Sequence, residues 1–455
     1  MSKSILEKSY VLFGFLLICF GILAIVGAAN SPKLPELPFP KVDIGLQALA
    51  AREQAQRDTI QQFKVFHDFQ FTDKLQESGI TFVHRAVPEA TTNYMKVHYD
   101  HGTGIAVADV DGDGLYDIYF VNQVGGNELW RNLGNGKFQN ITEQAGVALK
   151  GRISVGASFA DVNNTGRPDL FVTTVMDGNV LFRNDGNGHF TDITQESGLG
   201  LKSHSSGALF FDYDRDGLLD LLVCNVGVYT SDERGPAGEF IGLPDAFTGH
   251  LHPERFEHPV LYKNLGNYHF KDVTEEVGLN PLSWSGDVDV TDLNGDDWPD
   301  IYLPNMQGAN HYFENRMGRD FIDRTAEYFP KTPWGAMGVK FFDFDNDGRM
   351  DLYVTDMHSD MMQAQDPAHE QEKITNHFQS DMLGGPETDF VFGNAFYHNL
   401  GDGKFEEISD KIGAETYWPW GISVGDVNAD GWEDVFITAG MNFPFRYGIN
   451  YPAAE

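Results

Sequence analysis

The sequence predicts an all-β chain built as a β-propeller of four-stranded blades, on three observations. A short acidic loop, Asp-x-Asp/Asn-x-Asp-Gly-x-x-Asp in its fullest form, occurs six times, with its first aspartate at positions 109, 161, 212, 292, 343 and 426. The intervals are 52, 51, 80, 51 and 83 residues, so a unit of about 51 residues repeats and is twice lengthened by roughly 30. Each loop is also followed by the same run of β-prone segments, which fits stacked blades of four short strands.

From the N-terminus, Val11 to Ala29 is an uninterrupted apolar stretch of 19 residues preceded by Lys3 and Lys8. That is about the length needed to cross a bilayer and exceeds most signal-peptide cores. Residues 1–30 are therefore expected to be a transmembrane anchor, with a signal peptide cleaved near Gly27 and Ala29 as the alternative. Residues 31–66 follow as a spacer with Pro32, Pro35, Pro38 and Pro40, then a helix expected over Ile44 to Phe66. The propeller occupies 67–455.

Within the first unit the expected strands are Gly104 to Val110, Asp117 to Val121, Asn127 to Asn132, and Lys137 to Thr142. The strands leaving the six loops read DIYFV, DLFVT, DLLVC, DIYLP, DLYVT and DVFIT, rich in the β-branched and aromatic residues of a buried sheet. Gly-Asn-Gly at 134–136 and 186–188 and Gly-Asp-Gly at 401–403 supply tight turns before the last strand. FQFTDK at 69–74 matches a fourth strand with no first three before it, while the sixth unit lacks a clear third and fourth strand. Closure of the ring by that N-terminal strand gives six blades; a chain cut before a further blade gives seven, and both stand.

The loops carry the chemistry. Alternating carboxylates on a chain that reverses at Gly aim several oxygens at one centre, as a hard cation with 6 to 8 oxygen ligands at about 2.3 to 2.6 Å requires. Ca²⁺ is the expected cofactor. The spacing is that of the first nine positions of an EF-hand loop, but no flanking helices are predicted, so a strand-loop-strand site is the better description.

The strongest expected sites carry four carboxylates each: Asp109, Asp111, Asp113 and Asp117; Asp212, Asp214, Asp216 and Asp220; Asp343, Asp345, Asp347 and Asp351. The sixth loop (Asp426, Asn428, Asp430, Asp434) exchanges one carboxylate for an amide. The fourth (Asp292, Asn294, Asp296, Asp300) does so too and puts Asp297 where Gly normally sits; both are expected to bind. The second (Asp161, Asn163, Thr165, Asp169) keeps two carboxylates and is expected to be weak or empty. Good turns alone would explain one such loop, but not six in register.

These units resemble FG-GAP (VCBS-type) repeats, the calcium-binding blades also seen in integrin α-subunits. FTDKLQESGITFVH at 71–84, GIAVADVDGDGLYDIYFVN at 104–122 and ELWRNLGNGKFQNITEQAG at 128–146 are similar, more narrowly, to the cartilage-acidic-protein-like (ASPIC/UnbV) family. The similarity covers roughly residues 65–455 and implies the fold and the metal. Members often carry a further C-terminal ASPIC/UnbV domain, which this sequence does not show, so nothing belonging to that domain is carried over.

With 32 Lys and Arg against 67 Asp and Glu, the net charge is −35. Such a surface repels nucleic-acid phosphates, and no nucleic-acid partner is expected. Cys19 and Cys224 are both placed in apolar segments, so no intramolecular disulfide is expected and calcium takes over the stapling role.

Two insertions break the period, about Gly227 to Glu257 and about His358 to Val391. In the first, His250, His252, Glu254 and His258 match no zinc spacing and read as surface or packing residues. Met357, Met361, Met362 and Met382 of the second read as packing. Trp334, Trp418, Trp420 and Trp432 fit core packing better than sugar stacking. No G-x-S-x-G elbow, H-E-x-x-H, phosphate loop or dinucleotide fingerprint occurs.

The leading expectation is thus an exported calcium-binding propeller, anchored through its N-terminal helix on the periplasmic or extracellular side, or secreted if that helix is cleaved. Its partner would be a protein or glycan. An envelope enzyme with a site in the two insertions and a purely structural spacer are the alternatives.

Overall fold

The computed structural model describes residues 71–87, 103–236, 238–243, 246–357, 390–391, 393–414, 416 and 419–439. The expected anchor, spacer and helix lie outside them, as does most of the second insertion. Among the described residues no helix is long and apolar enough to cross a membrane.

The described chain is all-β, with five four-stranded antiparallel sheets and a two-stranded sixth. The first sheet is β1 (Ile105–Ala108), β2 (Asp117–Phe120), β3 (Glu128–Asn132) and β4 (Phe138–Asn140), hydrogen-bonded in that order. The second is β5 (Ser154–Ala160), β6 (Asp169–Thr174), β7 (Val180–Gly186) and β8 (His189–Asp192). In the third, β9 (Ser205–Phe211) and β10 (Asp220–Asn225) precede an inserted hairpin, β11 (Thr230–Arg234) and β12 (Phe240–Gly242), before β13 (Val260–Asn264) and β14 (Phe270–Asp272) complete the sheet. The fourth is β15 (Asp289–Thr291), β16 (Asp300–Leu303), β17 (His311–Asn315) and β18 (Phe321–Asp323). A parallel pair, β19 (Thr332–Pro333) with β22 (Phe390–Val391), flanks the fifth sheet of β20 (Ala336–Phe342), β21 (Asp351–Asp356), β23 (Ala395–Gly401) and β24 (Lys404–Glu407). The last is β25 (Pro419–Gly425) with β26 (Asp434–Ala439). The order is consistent with propeller blades.

The apolar runs after the acidic loops become intelligible here. In β6, Leu170 and Val172 pack with Leu129 and Tyr119 of the first sheet, while Phe171 packs with Leu221 and Val223 of the third. In turn, Leu222 of β10 meets Ile301 of the fourth sheet, and Tyr302 of β16 meets Leu352 and Val354 of the fifth. A strand buried on both faces cannot alternate polar with apolar, and each such side chain contributes about 1.5–3 kcal/mol. The first strands converge instead on close backbone approach. Gly207 donates its N–H to the Gly286 carbonyl at 2.9 Å, and a Cβ on Gly207 would lie 2.9 Å from that oxygen.

Two expectations shift. Phe71 to Lys74 forms no strand among the described residues, and Phe71 is 79% exposed. The fourth strand of the first sheet ends at Asn140, earlier than expected, and Thr142 opens a one-turn helix. These helices are α1 (Leu75–Ser78), α2 (Thr142–Ala145), α3 (Thr194–Ser197), α4 (Thr325–Tyr328) and α5 (Ser409–Ile412). The hydroxyls of Thr142, Thr194 and Thr325 accept the N–H of Leu129, Leu181 and Tyr312 at 2.8, 3.0 and 2.8 Å, so the threonine belongs to a helix start that is tied to the third strand.

Candidate metal centres

All six acidic loops share one backbone design. The first aspartate accepts the N–H of the fifth residue with Oδ1 and that of the sixth with Oδ2: Asp109 from Asp113 and Gly114 at 3.1 and 2.8 Å, and Asp343 from Asp347 and Gly348 at 2.9 and 2.7 Å. Asp161, Asp212, Asp292 and Asp426 repeat the pattern. The sixth residue is left-handed in every loop, which Gly adopts freely at five of them; Asp297 takes φ +69° in the fourth.

The last aspartate has a second duty that the spacing does not reveal. Asp117 is fully buried and accepts the N–H of Val110 at 3.0 Å and of Asn132 at 2.7 Å, clamping its loop to the third strand. Asp169, Asp220, Asp300 and Asp351 make the equivalent pair of bonds, and Asp300 also accepts the Tyr312 hydroxyl at 2.9 Å. Burial raises these carboxyls above the usual range against the pull of their N–H donors, Asp169 to about 6 and Asp220 and Asp300 to about 7. Asp214 and Asp216 push Asp220 further in the same direction. A nearby divalent cation would act oppositely, by favouring the charged form.

Carboxylate oxygens converge in three of the loops, those richest in aspartate. Asp109, Asp111 and Asp117 come within 4.8 Å of one another, as do Asp212, Asp214 and Asp220, and Asp343, Asp345 and Asp347; Asp345 and Asp351 also gather with His398. Asp113 and Asp216 lie beside these clusters, bonded to Arg131 and Lys263 respectively. Among the described residues no such triple forms in the other loops. In the second, Thr165 turns its hydroxyl to Asp161 and Asn163 accepts the Asn267 N–H. In the fourth and sixth, Asn294 and Asn428 each accept the N–H of the fifth residue, Asp296 and Asp430, at 2.9 Å, and Asp434 holds Val427.

The three clustered loops also hold a feature that fits a hard cation. Oδ1 of Asp111, of Asp214 and of Asp345 is buried with no hydrogen-bond partner. A buried carboxylate oxygen left alone is costly, and the same atom is left alone at the third position of each converging loop. An all-oxygen donor set of this kind suits Ca²⁺, with Asp109, Asp111 and Asp117, Asp212, Asp214 and Asp220, and Asp343, Asp345 and Asp347 as the side chains that would hold it.

His252 and His258 join none of these clusters, and Trp418 lies outside the described residues. His252 pairs with Glu254 at 3.2 Å and His258 bonds the Pro281 carbonyl at 2.9 Å. Trp334 is buried, Trp432 is half exposed, and Cys224 is a buried free thiol.

The family model for FG-GAP-like repeats matches residues 109–172, 161–223, 292–354 and 381–437. Cartilage acidic protein 1 from Xenopus tropicalis is 25% identical over 56% of this chain and 38% of its own length. The Homo sapiens protein is 26% identical over 58% of this chain and 40% of its own. The chain thus spans about two fifths of the curated relatives it matches. Among solved structures, an Agrocybe aegerita lectin described as recognising non-reducing terminal N-acetylglucosamine is 17% identical over 72% of each chain, with a TM-score of 0.38. The Vibrio cholerae biofilm matrix protein Bap1 is 13% identical over 55% of this chain and 34% of that one, with a TM-score of 0.30. Superpositions this loose carry no functional argument.

Proposed function

The chain belongs to the FG-GAP-like repeat family, and on that footing we propose that it is an exported, membrane-anchored, calcium-binding β-propeller that binds a protein or glycan outside the cytoplasmic membrane. The observation that carries the calcium is the orphaned, buried oxygen at the third position of the first, third and fifth loops. The apolar Val11 to Ala29 stretch supplies the anchor, and the repeated sheets with their face-to-face cores supply the blades.

Recognition is assigned to the end of the sheets opposite the acidic loops. Both insertions depart from the far ends of second strands, the first after Asn225 and the second after Met357, returning at Phe390. Tyr229 and Phe240 of the inserted hairpin are buried with Val226, Trp284 and Met306, which seats the hairpin on that end. Asp232 and Glu233 on its first strand are exposed. Calcium on one end thus stiffens the blades, while loops on the other end meet the partner.

The test has two stages. Calcium titration by calorimetry after chelation, with thermal unfolding at each step, should show uptake of several ions and a rise in melting temperature. A panel of glycans and purified envelope proteins is then probed with the calcium-loaded chain and with an Asp232→Ala, Glu233→Ala variant. Binding lost in the variant with calcium stabilisation intact supports the reading; absence of calcium uptake, or binding indifferent to the hairpin, counts against it.

A further inference from the structure

The acidic loops differ in one neighbour that every blade places alike, the residue just before the last asparagine of the third strand. It is Arg131, Arg183, Lys263, Glu314 and His398 in the first five sheets. At the first loop, Arg131 lies 2.6 Å from Asp111 and 3.2 Å from Asp113. At the third, Lys263 bonds Asp214 and stands 3.2 Å from Asp216. Both cations therefore sit on the third and fifth ligand positions. The cover is incomplete: the Asp111 side chain is only 8% exposed, yet its Oδ1 has no hydrogen-bond partner, and Oδ1 of Asp214 is left in the same state.

The other three blades provide the contrast. Arg183 turns to Asp185, since the second loop has Asn163 and Thr165 where the carboxylates would be. Glu314 pairs with Arg324 and brings no cation to the fourth loop. At the fifth loop an imidazole takes the position, with His398 Nδ1 3.0 Å from Asp351 and Nε2 3.9 Å from Asp345. Arg349 also bonds Asp347 of that loop, the fifth position alone, so a fixed side-chain cation stands on the third-position aspartate only in the first and third loops among the described residues.

We propose that Arg131 and Lys263 are resident counter-cations that compete with the divalent ion at the third ligand position, so that the first and third loops take calcium more weakly than they would without them. The proposal rests on the calcium reading above. Converging carboxylates repel one another, and a fixed guanidinium or ammonium relieves that repulsion without a bound ion. A calcium ion entering the loop must share those oxygens with the resident charge or displace it, and the displaced ion pair is subtracted from its affinity. The chain then keeps two loops neutralised when calcium is scarce and exchanges side-chain charge for calcium when it is plentiful.

The experiment is calcium titration by calorimetry on the full chain and on Arg131→Met and Lys263→Met, each with thermal unfolding in chelator and in saturating calcium. Each variant should convert one weak site into a site tighter by about tenfold, the weight of one partly buried ion pair. Each should also lose melting temperature in chelator and recover it in calcium, a crossing that a purely structural Arg or Lys would not give. Arg131→Lys keeps the charge and should titrate as wild type; Arg131→Gln and Lys263→Gln are milder replacements should a Met variant fail to fold. Wild-type uptake with unchanged or weaker binding in the variants overturns the competition while leaving the calcium reading in place. No uptake by any of the proteins overturns both.

Discussion

Asn184 of the second sheet donates its side-chain amide to the carbonyl of Val110, the residue after the first aspartate of the preceding sheet's acidic loop, at 2.9 Å. The same amide reaches Pro168 in its own loop at 3.0 Å. Asn264 does this to Val162 at 2.7 Å and Asn315 to Tyr213 at 2.9 Å, so three successive third strands are each stitched to the acidic loop of the sheet before. The acidic loops are therefore part of the contact between sheets.

Asn184→Ala tests the stitch. The residue is fully buried, and truncation leaves the Val110 carbonyl and the Gly186 N–H without their partner. A loss of about 2–3 kcal/mol in urea unfolding is expected, the cost of stranding buried backbone groups. A loss below about 0.5 kcal/mol would mean that water replaces the amide freely and that the sheets cohere through their apolar faces alone.

Asp297 offers the opposite sign. It holds φ +69° where the other loops have Gly, and its N–H bond to Asp292 and its carbonyl bond from Arg215 are both made by backbone. Asp297→Gly should keep both and relieve the left-handed conformation. A gain of about 0.5–1 kcal/mol is expected after allowing for the more flexible unfolded chain. A destabilised variant would show that the Asp297 carboxylate itself contributes to the fourth loop.

Much of this architecture was legible in the sequence because its signals are local. The loop spacing, the Gly turns and the doubly buried second strands are all short-range patterns, and DLFVT at 169–173 reads as a core strand without any partner in view. The asparagine stitch was visible too, as Asn184, Asn264 and Asn315 at the close of their third strands, but its position beside Gly turns disguised it as turn chemistry. What sequence order could not give was its partner, since Asn264 and Val162 stand in different repeats. The clamp made by Asp117 and the cations on the first and third loops were hidden for the same reason: each needs the third strand folded back beside the loop.

Gly207→Val probes the convergence of first strands. A Cβ there would lie 2.9 Å from the Gly286 carbonyl and 3.3 Å from the Asp287 Cα, both backbone atoms that cannot swing aside. The fourth sheet must shift as a unit or lose the 2.9 Å bond, and a cost of about 2 kcal/mol or more is expected. Stability within about 0.5 kcal/mol of wild type would mean that the first strands have slack between sheets.

The buried clamp carboxylates also set a pH dependence with an unusual sign. Asp169, at about 6, and Asp220 and Asp300, at about 7, bind protons more tightly in the folded chain than in the unfolded one, where an Asp titrates near 4. Between those limits the folded state carries more protons, so stability falls as pH rises. Their contribution is complete below about pH 4 and is lost as pH passes through about 6 to 7. Groups held low, such as Glu257 beside His204 and Asp185 beside Thr191, act only at the acid end, where their stabilisation disappears as pH falls through their depressed range. In chelator the melting temperature should therefore decline from about pH 4.5 to pH 7.5. With calcium present the decline should flatten or reverse, because the ion stabilises the ionised form of Asp220 and its neighbours that the protein alone disfavours. A chelated protein whose melting temperature climbs across that window would show that these carboxyls are ionised at neutral pH without a metal, and that their N–H donors outweigh burial.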